Sequence, residues 1–131
     1  MKARILHLST CLALAGVAQA QSPAPAAAPA EFPPAAQALT GDALRQKLDG
    51  RVYAATAANG RAWRLEYTRS GYMFVDVEPT FKDSGPYRVE GSQVCVTMQR
   101  TGASCSEYRV EGETVYLKRT SNGEVLTLRP R

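Results

Sequence analysis

From residue 51 onward, apolar and polar residues alternate in steps of two, the pattern of β-strands that bury one face. Glycine recurs between the alternating runs, which is typical of short turns between antiparallel strands. These glycines are Gly60, Gly71, Gly85, Gly91, Gly102, Gly112 and Gly123. Seven turns would join eight strands, and a meander of that length removes its open edges by closing. We therefore predict an all-β fold, a small eight-stranded antiparallel meander barrel, with a curled half-open sheet as the alternative.

The turn sequences also predict which residues face the interior. Asn59-Gly60 suits a two-residue turn, and the resulting register leaves Tyr53 on the outer face. Arg69-Ser70-Gly71 and Asp83-Ser84-Gly85 suit three-residue loops that end in a left-handed glycine. Because the strands are short, we expect side chains to fill the interior. The predicted inward positions include Trp63, Leu65, Val75, Val94, Val96, Leu117 and Leu126.

One helix is predicted before the first strand. Thr40 suits the N-cap position, and Leu44 and Leu48 then share one face of the helix. A glycine follows where a left-handed C-cap would end the helix. We predict a helix over residues 40–49 that packs by one apolar edge, within a barrel domain spanning residues 39–131.

The chain before this domain has two compositions. Residues 1–20 combine Lys2 and Arg4, an apolar run and the sequence Ala18-Gln19-Ala20, which together predict a cleaved signal peptide and a periplasmic or secreted protein. The apolar run is too short to cross a bilayer, so no integral membrane segment is expected in the mature chain. Residues 21–38 are rich in Ala and Pro, which favours extended chain and predicts a disordered arm or linker.

An exported chain with an even number of cysteines is expected to pair them. Cleavage after residue 20 removes one of the three cysteines and leaves Cys95 and Cys105, for which we predict a disulfide. Both fall on the outer face of neighbouring strands. A loop at Arg100-Thr101-Gly102 would place Cys95 opposite Glu107, so direct pairing requires the register to shift by two residues.

Charge and residue types exclude several classes of function. Two of the 16 Lys and Arg residues lie in the leader, which leaves 14 against 12 Asp and Glu. This balance excludes a nucleic-acid partner and a polybasic membrane anchor. The single His also lies in the leader, so the mature chain lacks an imidazole base or ligand, and a disulfide removes both thiols as nucleophiles. We therefore expect no catalytic residue, no metal site and no cofactor, and predict that the protein is not an enzyme.

The candidate binding residues lie on the predicted outer face of the first three strands. Aromatic side chains there stand beside charged ones, a composition that is typical of protein interfaces. The candidates are Tyr53, Arg64, Glu66, Tyr72 and Phe74. We therefore favour a non-enzymatic binding protein with a protein partner. A carrier of a small apolar ligand and a structural envelope protein are the alternatives.

Two stretches resemble known groups of exported proteins. Gly60-Arg61-Ala62-Trp63-Arg64-Leu65, together with the signal peptide, the arm and one disulfide, is similar in plan to secreted bacterial metalloprotease inhibitors with lipocalin-like barrels. That resemblance implies an inhibitor-like role in which the arm enters a protease cleft. The stretch from Gly85 to Cys95 resembles small exported proteobacterial β-proteins with a G-x-Y/W-R-V-x-G-x-x-V/L-C pattern, which implies the β fold and supplies no function.

The barrel interior separates the two leading hypotheses. An interior cavity on the order of several hundred Å³ would favour a carrier of a small ligand. A packed interior together with an exposed aromatic patch would favour a protein-interaction module.

Overall fold

The computed structural model describes residues 28–131, so the predicted signal peptide and residues 21–27 of the arm lie outside the described part. Eight antiparallel strands form a closed barrel in chain order after one short helix. The elements are α1 (Gly41–Leu48), β1 (Arg51–Thr56), β2 (Ala62–Tyr67), β3 (Tyr72–Val77), β4 (Phe81–Glu90), β5 (Gln93–Met98), β6 (Gly102–Glu111), β7 (Thr114–Lys118) and β8 (Val125–Pro130). Pairing of Tyr53 with Pro130 and of Ala54 with Arg129 closes β1 onto β8. The predicted all-β meander barrel is confirmed, and the half-open sheet is wrong.

The predicted inner face is confirmed from β2 onward. Leu65 lies opposite Val75, and both side chains are buried. Tyr87 lies opposite Val96 rather than Val94, a shift of two residues that keeps the same face. The residues predicted to point inward all belong to the hydrophobic core or pack against it.

β1 faces the opposite way from the prediction. The β1–β2 loop is Ala58-Asn59-Gly60, closed by a hydrogen bond of 3.0 Å from the Ala57 N–H to the Arg61 carbonyl. One more loop residue than predicted shifts the pairing by one position and turns every β1 side chain over. Tyr53 therefore lies opposite Leu65 and points into the barrel, where it is 1% exposed.

Gly85 lies inside a strand rather than in the predicted turn. The β3–β4 turn is Glu78-Pro79-Thr80, and β4 runs through Gly85 to Glu90. β4 pairs with β3 up to Pro86 and with β5 from the next residue. A Cβ atom at position 85 would overlap the backbone of Thr97 on β5, so the close approach of the two strands requires glycine.

Cys95 and Cys105 lie directly opposite each other on β5 and β6. Their Cα atoms are 4.0 Å apart and their sulfur atoms lie at disulfide-bonding distance. The β5–β6 turn begins at Gln99, because Met98 pairs with Gly102. This earlier turn supplies the two-residue shift that direct pairing of the cysteines needs.

α1 covers one end of the barrel with its apolar edge. Leu44 and Leu48 have no exposed surface, and the helix packs against β4 and β1. Thr40 occupies the predicted N-cap position but makes no side-chain capping hydrogen bond. No helix within residues 28–131 is long and apolar enough to span a membrane.

The described part of the predicted arm lies against the barrel. Gln37 and Val110 exchange two backbone hydrogen bonds of 2.8 Å, at a part of β6 that extends beyond its pairing with β5. Phe32 packs beside Tyr116 and lies 4.5 Å below the guanidinium of Arg109. Residues 28–38 therefore cover an edge of β6. The composition of residues 21–38 instead predicts a disordered arm or linker.

Candidate ligand-binding cavity

The two ends of the barrel are built differently. In an up-and-down barrel, alternate connections lie at the same end. At the closed end, α1 lies across the strands beside the β2–β3, β4–β5 and β6–β7 turns. At the open end, residues of the β1–β2, β5–β6 and β7–β8 loops border a cavity of about 510 Å³, and the β3–β4 turn lies at the same end. This volume lies within the range of ligand pockets, about 300–1,000 Å³.

Four tyrosines fill the closed end, and their rings meet edge to face with centroids 5.5, 6.0 and 6.5 Å apart. This tyrosine cluster consists of Tyr53, Tyr67, Tyr87 and Tyr108. Tyr67 and Tyr108 share a hydrogen bond of 2.7 Å between their hydroxyls. Tyr53 donates to the carbonyl of Lys47, and Tyr87 donates to the carboxylate of Asp49. Burial raises the pKa of both Tyr67 and Tyr108, so this end is packed with neutral, partnered hydroxyls.

The cavity is lined by inward-facing side chains of β2 to β7 and by the open-end loops. Its walls are mostly apolar and include Leu65, Val75, Val77, Phe81, Val96 and Leu117. Ser104 and Ser106 on β6 add hydroxyls to one wall. The lining residues that belong to the loops form the rim, and these are Arg61, Thr101, Arg119, Thr120 and Ser121. The interior is therefore filled at one end only, whereas the sequence predicted a filled interior throughout.

Glu124 joins two of the rim loops. Its carboxylate accepts hydrogen bonds from the backbone N–H of Ala58 at 2.6 Å and from Arg119 at 2.9 Å. Burial alone would raise the pKa of Glu124, but these hydrogen bonds outweigh it and hold the pKa below its ordinary value. The guanidinium of Arg119 also stacks on Trp63, 4.9 Å from the ring centre, so the β1–β2 and β7–β8 loops are fixed to each other and to β2.

Asp83 fixes a third loop. It points inward from β4, and its two carboxylate oxygens accept from the N–H of Arg100 at 3.0 Å, the N–H of Thr101 at 3.0 Å and the hydroxyl of Thr101 at 2.9 Å. Burial alone would raise the pKa of Asp83, but the hydrogen bonds lower it on balance. Asp83 and Glu124 are the buried charged residues within the described chain. Both hold open-end loops in place, so the mouth of the cavity is formed in advance of any ligand.

Four of the five predicted binding residues lie together on the outer face. Arg64 forms an ion pair of 3.0 Å with Glu66, which lies opposite Phe74. The rings of Tyr72 and Phe74 are 5.3 Å apart, and Phe74 is 44% exposed. Tyr53 is not part of this patch because the register of β1 places it inside the barrel. The outer patch therefore exposes one large apolar side chain.

The cavity residues were not predicted, because the alternation of apolar and polar residues separates only inner from outer positions. Side-chain size along the inner face carried the missing signal. Toward the closed end the inner positions hold tyrosines, whereas Val96, Ser104 and Ser106 stand at inner positions toward the open end. Small inward side chains in neighbouring strands leave space unless another element fills it.

Glu90 lies beside the two cysteines, with potential ligand atoms of all three residues within 4.8 Å. A metal would need thiolates from both cysteines. Since their sulfur atoms lie at disulfide-bonding distance, the paired cysteines do not supply thiolates, and this group is not a metal site while the bond is intact.

Comparison of the chain with protein-family models, with curated proteins and with solved structures finds no match. The two resemblances noted in the sequence therefore stay predictions. The function has to be argued from the cavity and from the outer patch.

Proposed function

We propose that this protein is an exported, non-enzymatic binding protein that takes a small apolar ligand into its open-end cavity. The observation that carries this proposal is a cavity of about 510 Å³ with mostly apolar walls, bordered by loops that buried carboxylates hold in place. Apolar wall surface that a ligand removes from water contributes about 25 cal/mol per Å². Because the loops around the opening are already ordered, less conformational entropy is lost when a ligand binds.

The interior favours this function over a protein-interaction module. The protein-interaction hypothesis needed a packed interior and an aromatic outer patch that included Tyr53. The interior holds a cavity instead, and Tyr53 is buried in the tyrosine cluster. The carrier hypothesis, the alternative at the level of sequence, is therefore the better supported of the two.

The only tryptophan of the chain supplies a direct measurement. Trp63 lines both the cavity and the outer groove at this end, so its fluorescence reports binding at either place. We expect the neutral apolar dye N-phenyl-1-naphthylamine to quench Trp63 emission and to gain emission itself, with saturation at one dye per chain. Absence of saturable binding by both fluorescence and calorimetry would refute the proposed function.

Two variants of neighbouring residues place the dye inside or outside the barrel. Ser104 lines the cavity, whereas Ala103, the residue before it on β6, belongs to the outer face, and both residues are exposed to solvent. Ser104→Phe should fill the cavity and weaken dye binding about tenfold or more, a loss of about 1.4 kcal/mol. Ala103→Phe adds a larger apolar group on the outside and should leave the affinity unchanged. Equal effects of the two substitutions would place the dye on the outer surface.

A protein partner is the second candidate function, and the exposure of Phe74 beside Tyr72 favours it. Phe74→Ser should then abolish capture of a defined partner from periplasmic extract, while Ser104→Phe leaves capture intact. The inhibitor-like form of this hypothesis uses the arm, and residues 28–38 are engaged with β6. Deleting residues 21–27, which precede those contacts, should abolish binding only if the arm is the contact.

A further inference from the structure

The carboxylates that line the cavity or support its rim accept hydrogen bonds from the protein on both of their oxygens. Asp83 accepts hydrogen bonds from Ser84, Arg100 and Thr101, with both of its oxygens engaged. Glu124 has one oxygen on Ala58 and the other on Arg119. The remaining carboxylate of the open-end loops, Glu78, borders an outer groove and does not line the cavity. Within residues 28–131, a cationic group of a ligand would therefore meet no uncommitted carboxylate on the cavity lining.

Donors, by contrast, remain available at the rim. Arg61 is exposed, lines the cavity and forms no ion pair within the described part of the chain. Arg119 directs one nitrogen to Glu124 and keeps further N–H groups, since a guanidinium carries five donors. The hydroxyls of Ser104 and Ser106 stand on the adjoining wall. The polar part of the lining is thus suited to a group that accepts hydrogen bonds and carries negative charge.

Polarity also changes with depth in the cavity. Leu65, Val75 and Leu117 lie on the strands and are buried, whereas Arg61, Thr120 and Ser121 belong to the loops. A ligand that matches both parts has an apolar body and one polar end. Its polar end can stay hydrated at the rim, so the desolvation of a charge does not oppose binding.

We propose that the ligand is an amphiphile with an anionic head group, whose apolar tail enters the cavity while the head group lies at the rim beside Arg61. This inference rests on the proposed function and adds the chemical class and the orientation of the ligand. Carboxylate and sulfate head groups share the required chemistry.

Three probes with the same tail test the head group: decanoate, decylammonium and 1-decanol, each below its aggregation limit. Quenching of Trp63 and calorimetry give the dissociation constants. We expect decanoate to bind about fivefold more tightly than decylammonium at low salt, and this preference should shrink in high salt. The neutral alcohol reports binding of the tail alone.

Arg61→Gln and Arg69→Gln form a matched pair for the position of the head group. Both arginines are exposed and without an ion pair in residues 28–131, but Arg69 lies at the closed end, against Gly50. Arg61→Gln should weaken decanoate about three- to fivefold and leave 1-decanol unchanged, whereas Arg69→Gln should change neither. Thermal unfolding of both variants checks that the fold is intact.

The outcomes separate the two proposals. If decanoate and decylammonium bind equally, or if decylammonium binds more tightly, the ligand is not of the anionic class. Saturable binding of 1-decanol would in that case still support the carrier function. If Arg61→Gln leaves decanoate unaffected, or if Arg69→Gln weakens it equally, the orientation is wrong. If no probe and no neutral dye binds, both proposals fail together.

Discussion

The closed and open ends share one sheet and one alternation of side chains, yet one end is packed and the other holds a cavity. At the closed end, inward tyrosines and two buried leucines of α1 fill the interior. At the open end, valines and serines stand at inward positions beside larger residues such as Leu65 and Phe81, and no helix within residues 28–131 covers them. Closure of a small barrel therefore does not determine whether its interior is packed or holds a cavity. The size of the inward side chains and the presence of a covering helix decide this.

The polar groups at the two ends differ as well. Buried hydroxyls at the closed end are neutral and bond to one another or to α1, as Tyr67 does with Tyr108. Buried carboxylates at the open end bind backbone N–H groups, as Asp83 and Glu124 do. The first arrangement joins side chains into a core, and the second holds loops around a mouth. Each end should therefore respond to a different perturbation.

Removing apolar contacts should damage the closed end most. Leu48 has no exposed surface, so Leu48→Ala should lower the free energy of unfolding by about 3 kcal/mol. Val96 is partly exposed beside the cavity, and Val96→Ala enlarges a space already open to solvent, so its cost should be about 1 kcal/mol. Urea unfolding measures both costs. Equal losses would mean that the cavity end is packed as tightly as the closed end.

The second prediction concerns the close approach of β4 and β5 between the two ends. Gly85→Ala places a methyl group against the backbone of Thr97, and backbone cannot move aside as a flexible side chain can. We expect a loss of about 2–3 kcal/mol in urea unfolding. Gly102→Ala is the control, because its Cβ meets no atom within 4 Å and only its φ of 82° opposes the change. A cost no greater than that of the control, about 1 kcal/mol, would contradict the role assigned to Gly85.

Removing the charge of Asp83 should loosen the open end by about 2 kcal/mol. In Asp83→Asn the amide nitrogen replaces an oxygen that accepts from Thr101, so two donors would face each other. The matched control is Asp76→Asn, which removes only a half-exposed ion pair with Lys82 and should cost at most about 0.5 kcal/mol. Trp63 fluorescence during urea unfolding follows the open end directly. Similar costs for the two variants would show that Asp83 does not hold the loop.

Through the buried titratable groups, acid should act on the open end and alkali on the closed end. The folded pKa values of Asp83 and Glu124 lie below their ordinary values of 3.8 and 4.5. Their stabilisation is thus present above those values and is lost as pH falls through the folded pKa. The folded pKa values of Tyr67 and Tyr108 are raised from 10.0, so stability there is present below pH 10 and is lost as pH rises through the folded pKa.

The two probes that check this prediction belong to opposite ends. Trp63 emission should change first on acidification, while the rings of the tyrosine cluster keep their near-ultraviolet circular dichroism. Tyrosinate absorbance should appear together with unfolding on the alkaline side. A single acid transition that is simultaneous in both probes, even in the Asp83→Asn variant, would show that the rim carboxylates have no separate effect.

The sequence predicted the barrel because alternation and turn residues are local signals. It failed where one residue of loop length changes the outcome. Asn59-Gly60 fits both a two-residue turn and the end of the observed three-residue loop, and that difference moved Tyr53 from the outer face to the core. The local sequence predicts a turn at Gly85, because its need for glycine comes from Thr97, twelve positions along the chain, a contact that no local pattern reveals. The β2–β3 register was predicted correctly because the loop between these strands is unambiguous, so Arg64, Glu66, Tyr72 and Phe74 are neighbours as expected, without Tyr53, and their role in binding stays a prediction.

The cavity was not predicted for a different reason. Inner and outer positions follow from a period of two, but empty volume depends on which side chains of several strands share one level of the barrel. The height at which each side chain lies along the barrel axis is set by the register between neighbouring strands. The shift of the Cys95–Cys105 pairing by two residues shows how far stagger can change without moving any side chain to the other face. From β2 onward, the face of each side chain was therefore predictable from the sequence, whereas its depth in the barrel was not.

The smallest expected effect tests whether the hydroxyls of the tyrosine cluster act as a unit. Tyr67→Phe keeps the ring and removes one partner of the 2.7 Å hydrogen bond, which leaves the hydroxyl of Tyr108 buried without it, at a cost of about 1 kcal/mol. Adding Tyr108→Phe removes that stranded hydroxyl, so the double variant should be destabilised by less than the sum of the single variants. Tyr72→Phe, which loses only a surface contact from Gln99, should cost almost nothing. Urea unfolding of the four variants gives the coupling energy. Strict additivity would mean that each hydroxyl finds another partner, and the closed end would then be held by its rings and α1 alone.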